Sequence, residues 1–316
     1  MSPFTTVRAE SVIAHGERRL ITAIRRWLGR ASPKSPFGIG DDCAVIPPAR
    51  RHQLVTTDPV IFGQHFDDTV PPRAVGAKLL KRNLSDIAAM GGRPVAAVVS
   101  LALAPNTSVA WLRRFYQGLA ACALRHRVKI VGGDITEGPA DFFGAFLTLH
   151  GESTAARVVT RTGARGGDAI FVTGRLGGSR AGHHYRFTPR LAEGAWLAQQ
   201  REVVAMLDVS DGIAKDVLAL TPKGFTAAVE PALLPVSRAA QVAARTSGRP
   251  AWMHALADGE DYELLFVLRA TADRARFTRR WRRRFATPLH HIGHFARAVA
   301  AGHVNWEHLD GYEHLR

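Results

Sequence analysis

The sequence predicts an α/β protein of two domains, and three observations carry that prediction. Its 316 residues exceed one ordinary domain, and a chain of that length buries roughly 75% of its unfolded surface. Short runs rich in Val, Ile and Leu alternate with longer segments whose apolar residues recur at helical spacing, the pattern of interleaved strands and helices. The small polar stretch Gly151 to Ala155 separates two such alternations. Residues 1–152 are therefore expected to form an N-terminal α/β domain, and residues 153–316 a C-terminal α+β domain.

Leu20, Ile21, Ile24, Trp27 and Leu28 mark one face of a first helix, which Pro33 and Pro36 end. Strands follow at Cys43 to Ile46 and Leu54 to Thr56, then a helix around Val75 to Met90 and a strand from Val95 to Leu103. The next helix carries Trp111, Phe115, Leu119 and Cys122 on its apolar face, and strands Val128 to Val131 and Phe142 to Leu149 complete this half. Val158, Val159 and the run Ala169 to Val172 open the second alternation. It continues with a strand ending at Asp208, a helix from Gly212, and strands near Thr226 to Val229 and Leu264 to Leu268. An arginine-rich helix and a last strand near Leu289 to Phe295 close it.

Composition removes several classes of function. Cys43 and Cys122 stand far apart, with no Cys-x-x-Cys and no histidine ladder, so they read as reduced core thiols of a cytoplasmic protein and not as a zinc site. No apolar run nears the roughly 20 residues that span a bilayer, and the N-terminal stretch lacks a signal-peptide core. The expectation is a soluble, non-exported protein. The net charge of +15, built from 36 arginines and only six lysines against 27 acidic residues, attracts nucleic acid, anionic membrane or phosphorylated metabolites alike. Sign alone does not choose among them.

The aspartates are more selective. Asp42 follows Gly-Ile-Gly, Asp58 closes Val55-Thr56-Thr57, Asp86 lies in Asn83-Leu84-Ser85-Asp86, and Asp134 ends Ile130-Val131-Gly132-Gly133. Asp208 and Asp211 bracket Val209-Ser210 before Gly212. Four of these six segments read as an apolar strand that switches to a turn or helix start, where open α/β sheets hold ligands. If the carboxylates converge, each pair about 4 Å apart repels by roughly 1 kcal/mol in water and about 4 kcal/mol at an effective dielectric of 20. Either some of them stay protonated or a cation fills the centre, and donors that are all oxygen suit Mg²⁺ or Mn²⁺. Magnesium gathered by aspartates implies phosphate on its far side, and Gly132, Gly133 and Gly212 would let backbone amides approach it. Neither a P-loop nor a protein-kinase glycine loop is present. The alternative is that the same aspartates are helix caps and turn formers.

In order, Gly38-Ile39-Gly40-Asp41-Asp42, Thr57-Asp58 with His65-Phe66, Asn83 to Gly91, Gly132-Gly133-Asp134, Arg161-Thr162-Gly163-Ala164, Asp208 to Gly212 and Gly259 to Leu264 form a series. This series resembles the thiamine-monophosphate kinase family, among the ATP-dependent enzymes that include aminoimidazole ribonucleotide synthetase and selenophosphate synthetase. The resemblance runs from Glu17 to Gly311-Tyr312-Glu313-His314. It implies phosphorylation of thiamine monophosphate by ATP, by direct in-line transfer, in a homodimer whose N-terminal sheets pair while the C-terminal domain closes the cleft. It further implies several Mg²⁺ ions on Asp42, Thr57, Asp58, Asp86, Asp134, Asp208 and Asp211, with ATP on Gly133, Asp134, Arg161 and Ser210. Thiamine monophosphate falls to His65, Glu260 and Tyr312, and the catalytic roles to Asp86, Asp211 and Arg161. Phosphoryl transfer runs on positioning and charge neutralisation, so no covalent nucleophile is missed, and a carboxylate and an aromatic face suit thiamine's permanent cation. The alternatives are a packing role for Tyr312 and a satisfied core histidine at His65.

The chain departs from the family pattern in places. Asp258-Gly259 stands where two glycines are usual; Asp takes positive φ less freely than Gly and brings a charge toward the thiamine pocket. His183 and His184 fall in a loosely matching stretch and read as a surface pair. The segment Arg279 to Phe285 spaces Trp281 and Phe285 as an amphipathic helix with arginines in water, the alternative being a phosphate-backbone binder with Trp281 as a stacking face. Two rival functions follow: a family member acting on another small acceptor, and a catalytically dead, basic nucleic-acid-binding homologue.

Overall fold

The computed structural model describes residues 1–34, 37–39, 43–298, 302–306 and 309. It divides into two units, Met1–Ile87 with Arg93–Glu152, and Ala88–Gly92 with Ser153–Arg316.

The first unit contains α1 (Val12–His15), α2 (Glu17–Leu28), β1 (Gln53–Ile61), α3 (Pro72–Ala89), β2 (Gly92–Leu103), α4 (Val109–His126), β3 (Lys129–Glu137) and β4 (Phe143–Ser153). Its four strands lie in the order β1-β4-β2-β3. β1 runs antiparallel to β4, while β2 and β3 are parallel across the α4 crossover, the connection a parallel pair requires. Alternation along the strands buries Leu54, Val60, Val99, Leu101 and Leu147 on one face. There Phe115 of α4 packs edge-on to Phe143 of β4 at 5.7 Å. The other face leaves Val55, Val98 and Phe146 exposed. α3 and α4 cross at two glycines: a Cβ on Gly118 would lie 1.9 Å from Arg73 O, and one on Gly76 2.0 Å from Phe115 O.

The second unit contains β5 (Ala169–Thr173), α5 (His183–Arg186), α6 (Leu191–Ala198), β6 (Val203–Asp208), α7 (Ile213–Leu220) and β7 (Thr226–Val229), then α8 (Arg238–Ser247), α9 (Ala251–Ala257), β8 (Leu264–Leu268), α10 (Arg274–Arg284) and β9 (Leu289–Ala296). The sheet order is β6-β8-β5-β9-β7, with every neighbouring pair antiparallel. Ile170, Val172, Leu265 and Val267 pack with Ile213 and Val217 of α7 and Leu256 of α9. Phe171, Phe266 and Leu268 pack with Leu197 of α6 and with Phe277 and Trp281 of α10. Helices on both faces explain why β5 and β8 are buried at every position.

Three expectations are corrected. Cys43 to Ile46 form no strand, and Val45 and Ile46 are exposed; Pro47 and Pro48 just beyond supply no N–H for a ladder. Cys43 is exposed, so only Cys122 is a core thiol. β1 runs on to Ile61 and β3 to Glu137, which places Asp58 and Asp134 inside strands and not at their ends. β1 is an edge strand and tolerates Pro59 for that reason, while Gly132-Gly133 marks close strand contact and no turn. A Cβ on Gly133 would lie 2.0 Å from Val99 O. Among the described residues no helix is long and apolar enough to cross a membrane.

Burial pushes the Cys122 thiol up to about 11, so a thiol reagent near neutral pH is expected to titrate one cysteine per native chain and two after unfolding. Replacing Gly118 by Ala should cost at least about 2 kcal/mol, the range of overpacked cores, measurable as a lower denaturant midpoint at unchanged m-value.

Candidate active site

In the first unit, alternation along β1 sends Thr56 and Asp58 toward α3 and Thr57 to the open face. Arg82 and Asp86 sit one turn apart on α3, so the helix meets the strand in two rungs. Thr56 Oγ1 donates to Asp86 Oδ2 at 2.5 Å; Arg82 Nη2 donates to Asp58 Oδ1 at 3.0 Å and Nη1 to Pro59 O at 2.9 Å. Asp58 and Asp86 are thereby each held by a donor from the facing element, Arg82 of α3 for the first and Thr56 of β1 for the second. Thr57 Oγ1 donates to Leu147 O at 3.1 Å and contacts Thr148 Oγ1 at 3.3 Å.

His65 ends the turn after β1. Its Nδ1 accepts the Ile61 N–H at 3.1 Å, which leaves the ring proton on Nε2, and the fully buried Lys78 donates to its carbonyl at 2.7 Å. Asp134 pairs in register with Ser100, and both are exposed on the open face. β4 and β2 lie between β1 and β3, so three strand spacings, about 14 Å, separate Asp134 from Asp58. A cavity of about 510 Å³ borders Gly133 and Asp134 and is walled by Ile21 and Ile24 of α2, Ile130 and Tyr116. Tyr116 was not singled out from the sequence, where it is one more aromatic residue on a helix rich in them.

In the second unit, β6 delivers the buried Asp208 to a loop that starts α7. Gly212, with φ of 98°, caps that helix, and a Cβ there would lie 2.7 Å from Leu256 O. Asp211 Oδ2 pairs with Lys215 Nζ at 2.9 Å. Asp216 accepts the Asp211 N–H at 3.1 Å. Burial first, and the Asp211 charge next, push its carboxyl up to about 7, against the pull of Arg161. Asp216 went unread in the sequence, although its place in the first turn of α7 after the Asp-x-x-Asp-Gly run was a signal.

The loop after α9 is laced to the Asp208–Gly212 loop. Glu260 N–H donates to Ser210 O at 2.7 Å and Tyr262 N–H to Val209 O at 2.8 Å. Arg161, Asp208, Ser210, Asp211 and Glu260 are thus brought to one region of this unit. Glu260 and Tyr262 take φ of 51° and 52°, costly for residues other than glycine. Asp258 does not: its φ of −68° is helical, so the strain expected at this departure from the family pattern is absent. Its carboxylate lies 3.1 Å from His254 Nδ1, with both side chains nearly buried. Glu263 is gripped by Arg190 through Nε at 2.7 Å and Nη2 at 2.5 Å. Asp261, pushed well up by burial, accepts from Gly177 N–H at 2.8 Å. The histidine pair is not a surface pair: His183 Nε2 lies 3.1 Å from Asp261 O and His184 Nδ1 3.7 Å from Glu260 Oε2.

Among the described residues no group of three or more His, Cys, Asp or Glu side chains is gathered to hold a metal ion. Asp42 and Tyr312 lie outside the described residues. Trp281 is fully buried, with Nε1 donating to Thr287 O at 2.7 Å, so it offers no stacking face to a nucleic acid.

A family model described as AIR synthase related protein, N-terminal domain, matches residues 40–152. The thiamine-monophosphate kinase of Rhodopirellula baltica is 39% identical over 258 residues, covering 78% of this chain and 80% of that protein. The crystal structure of thiamine-monophosphate kinase from Stenotrophomonas maltophilia K279a is 31% identical with a TM-score of 0.74, covering 90% and 96% of the two chains. AaThiL complexed with AMPPCP and TMP is 30% identical with a TM-score of 0.72, covering 96% and 98%.

The bidentate Arg190–Glu263 pair underlies the strained loop. Arg190→Ala leaves a buried carboxylate without its charge partner and should cost about 3 kcal/mol or more, read as a lower denaturant midpoint. Arg190→Lys should recover only part, because an ammonium cannot reproduce the two-pronged contact.

Proposed function

This chain belongs to the thiamine-monophosphate kinase family, and on that premise we propose that it moves the terminal phosphoryl group of ATP directly onto the phosphate of thiamine monophosphate. The observation that carries this reading is the fixed carboxylate pair, Asp58 held by Arg82 and Asp86 held by Thr56. Two anionic substrates have to meet there, and side chains already set in place cost little further ordering at the moment of reaction.

The donors in this neighbourhood are carboxylates and hydroxyls, with no thiolate or imidazole among them, so the residues fit magnesium. Asp42, Thr57, Asp58, Asp86, Asp134, Asp208 and Asp211 are the proposed ligands. Magnesium, when bound, neutralises phosphate charge that would otherwise hold the two substrates apart. The chain's own groups do the rest. Arg161 offers a forked donor to phosphate oxygens, Gly133 and Asp134 line the approach of the nucleotide, and Ser210 adds a hydroxyl. The cavity beside Gly133, lined by isoleucines together with Glu17, Asp134 and Tyr116, has the size of a site for a flat heterocycle. His65 presents Nε2–H to the substrate phosphate, and Glu260 with Tyr312 meets the thiamine cation.

The sheet of the first unit supports a homodimer, because it leaves an apolar face open at Val55, Val98 and Phe146, the kind of surface that marks an interaction site. The cytoplasm is the proposed compartment, in keeping with free thiols.

Release of ADP from ATP, thiamine monophosphate and Mg²⁺ tests the reading. Asp86→Asn is expected to lower kcat at least about a hundredfold, the scale for loss of a key electrostatic group, and chelation of the metal to abolish turnover. Unchanged turnover in Asp86→Asn would remove Asp86 from the mechanism.

A further inference from the structure

We infer that Asp216 is a positioning residue for phosphoryl transfer, holding the main chain at Ser210 and Asp211 so that both side chains are set for the nucleotide. The inference rests on the reading of Ser210 as an ATP contact and of Asp211 as a magnesium ligand. Asp216 lies in the first turn of α7, and its partly buried side chain reaches back to the loop that starts the helix. Its Oδ2 accepts the Asp211 N–H at 3.1 Å, and the carboxylate takes the Ser210 N–H as well. One side chain thereby holds two consecutive amides, through bonds of the stronger, charge-assisted kind.

The same loop is held from its other side by residues 259–263. Val209 N–H donates to Glu263 O at 2.8 Å, Val209 O accepts from Tyr262 N–H at 2.8 Å, and Ser210 O accepts from Glu260 N–H at 2.7 Å. Gly259 comes close, since a Cβ there would lie 3.1 Å from Ser210 O. These bonds all run through backbone atoms of residues 209–211, so they set the loop without engaging the Ser210 hydroxyl or the Asp211 carboxylate. Without Asp216 two adjacent N–H groups lose this acceptor, and the loop is free to turn about the carbonyls that remain tied. A reacting group displaced by about 1 Å costs about a hundredfold in rate. Because the carbonyl bonds persist, the expected loss is smaller, about tenfold. Recognition of thiamine monophosphate is spared, for residues 260–263 have anchors elsewhere: Arg190 on Glu263 at 2.5 Å and the Gly177 N–H on Asp261 at 2.8 Å.

The test is steady-state kinetics of the intact chain, with ATP and thiamine monophosphate varied in turn at saturating Mg²⁺, together with calorimetric binding of a non-hydrolysable ATP analogue. Asp216→Ala is expected to raise KM for ATP and Kd for the analogue about tenfold, to lower kcat about tenfold, and to leave KM for thiamine monophosphate within about twofold. Asp216→Asn, which keeps an acceptor oxygen in place, should recover most of the loss. Ser210→Ala and Asp211→Asn, run alongside, should raise KM for ATP or lower kcat. If they do so and Asp216→Ala behaves as the native chain, the inference falls while the reading of Ser210 and Asp211 stands. If both leave KM for ATP and kcat unchanged, the reading falls and takes the inference with it. An Asp216→Ala variant that raises both KM values alike, or whose loss Asn does not restore, has a structural role only, and the inference is overturned.

Discussion

Like-charge repulsion is the constraint around which this molecule is arranged. A phosphoryl-transfer site needs several carboxylates, yet the chain has to fold before any cation or substrate stabilises them. Five acids have a donor of their own: Arg82 for Asp58, Thr56 for Asp86, Lys215 for Asp211, the Asp211 amide for Asp216 and Arg190 for Glu263. Lys215 and the Asp211 amide are close in sequence to the acids they hold, whereas Arg82, Thr56 and Arg190 reach theirs across the fold, so those pairs form with the tertiary structure. Where burial is complete, as at Asp261, burial raises the carboxyl's pKa, favouring its neutral form, the other way a protein holds an acid in low dielectric.

Strand order then decides how these acids are shared. The α3 crossover puts β1 at one edge of the first sheet and the α4 crossover puts β3 at the other. Asp58 looks inward to the helix layer, and Asp134 looks out from the open face. A motif read along the sequence treats the two as neighbours in one site, but pleat and strand spacing place them apart within a copy. The same open face carries exposed apolar residues at Val55, Val98 and Phe146. One surface therefore bears both an exposed strand carboxylate and exposed apolar side chains.

Much of this was legible in the sequence, and the parts that were not share a cause. The alternation of strands and helices was readable because periodicity reports burial directly, and Asp208 to Gly212 reads as strand-to-helix turn because Gly212 has to take a positive φ there. Asp58 and Asp134 were misplaced to strand ends because Thr and Gly before a carboxylate look like turn chemistry, whereas the paired strand overrides that preference. Cys43 to Ile46 looked like a strand because a four-residue apolar run carries no information about whether a partner exists. Asp216 and the histidines at 183 and 184 were missed or misjudged because their role is set by what faces them across the fold. Residue type announces the chemistry available; the side it points to is a tertiary fact.

Asp258 shows the same distinction at the substrate pocket. Glycine at this point of the family pattern suggests a backbone that only glycine adopts, which would make Asp a strained intruder bringing a charge toward thiamine. Its helical φ removes the first concern, since the left-handed demand falls on Gly259, Glu260 and Tyr262 instead. The second is answered by its partners. His254 Nδ1 faces both oxygens at 3.1 Å, Ser247 Oγ holds the ring's other nitrogen at 2.8 Å, and Arg180 adds a more distant charge at 3.9 Å. A carboxylate so nearly buried and committed to an imidazole is poorly placed to compete with Glu260 for an external cation. The departure therefore changes how the loop is anchored: Asp258 ties the end of α9 to His254, and the left-handed backbone falls on the residues after it.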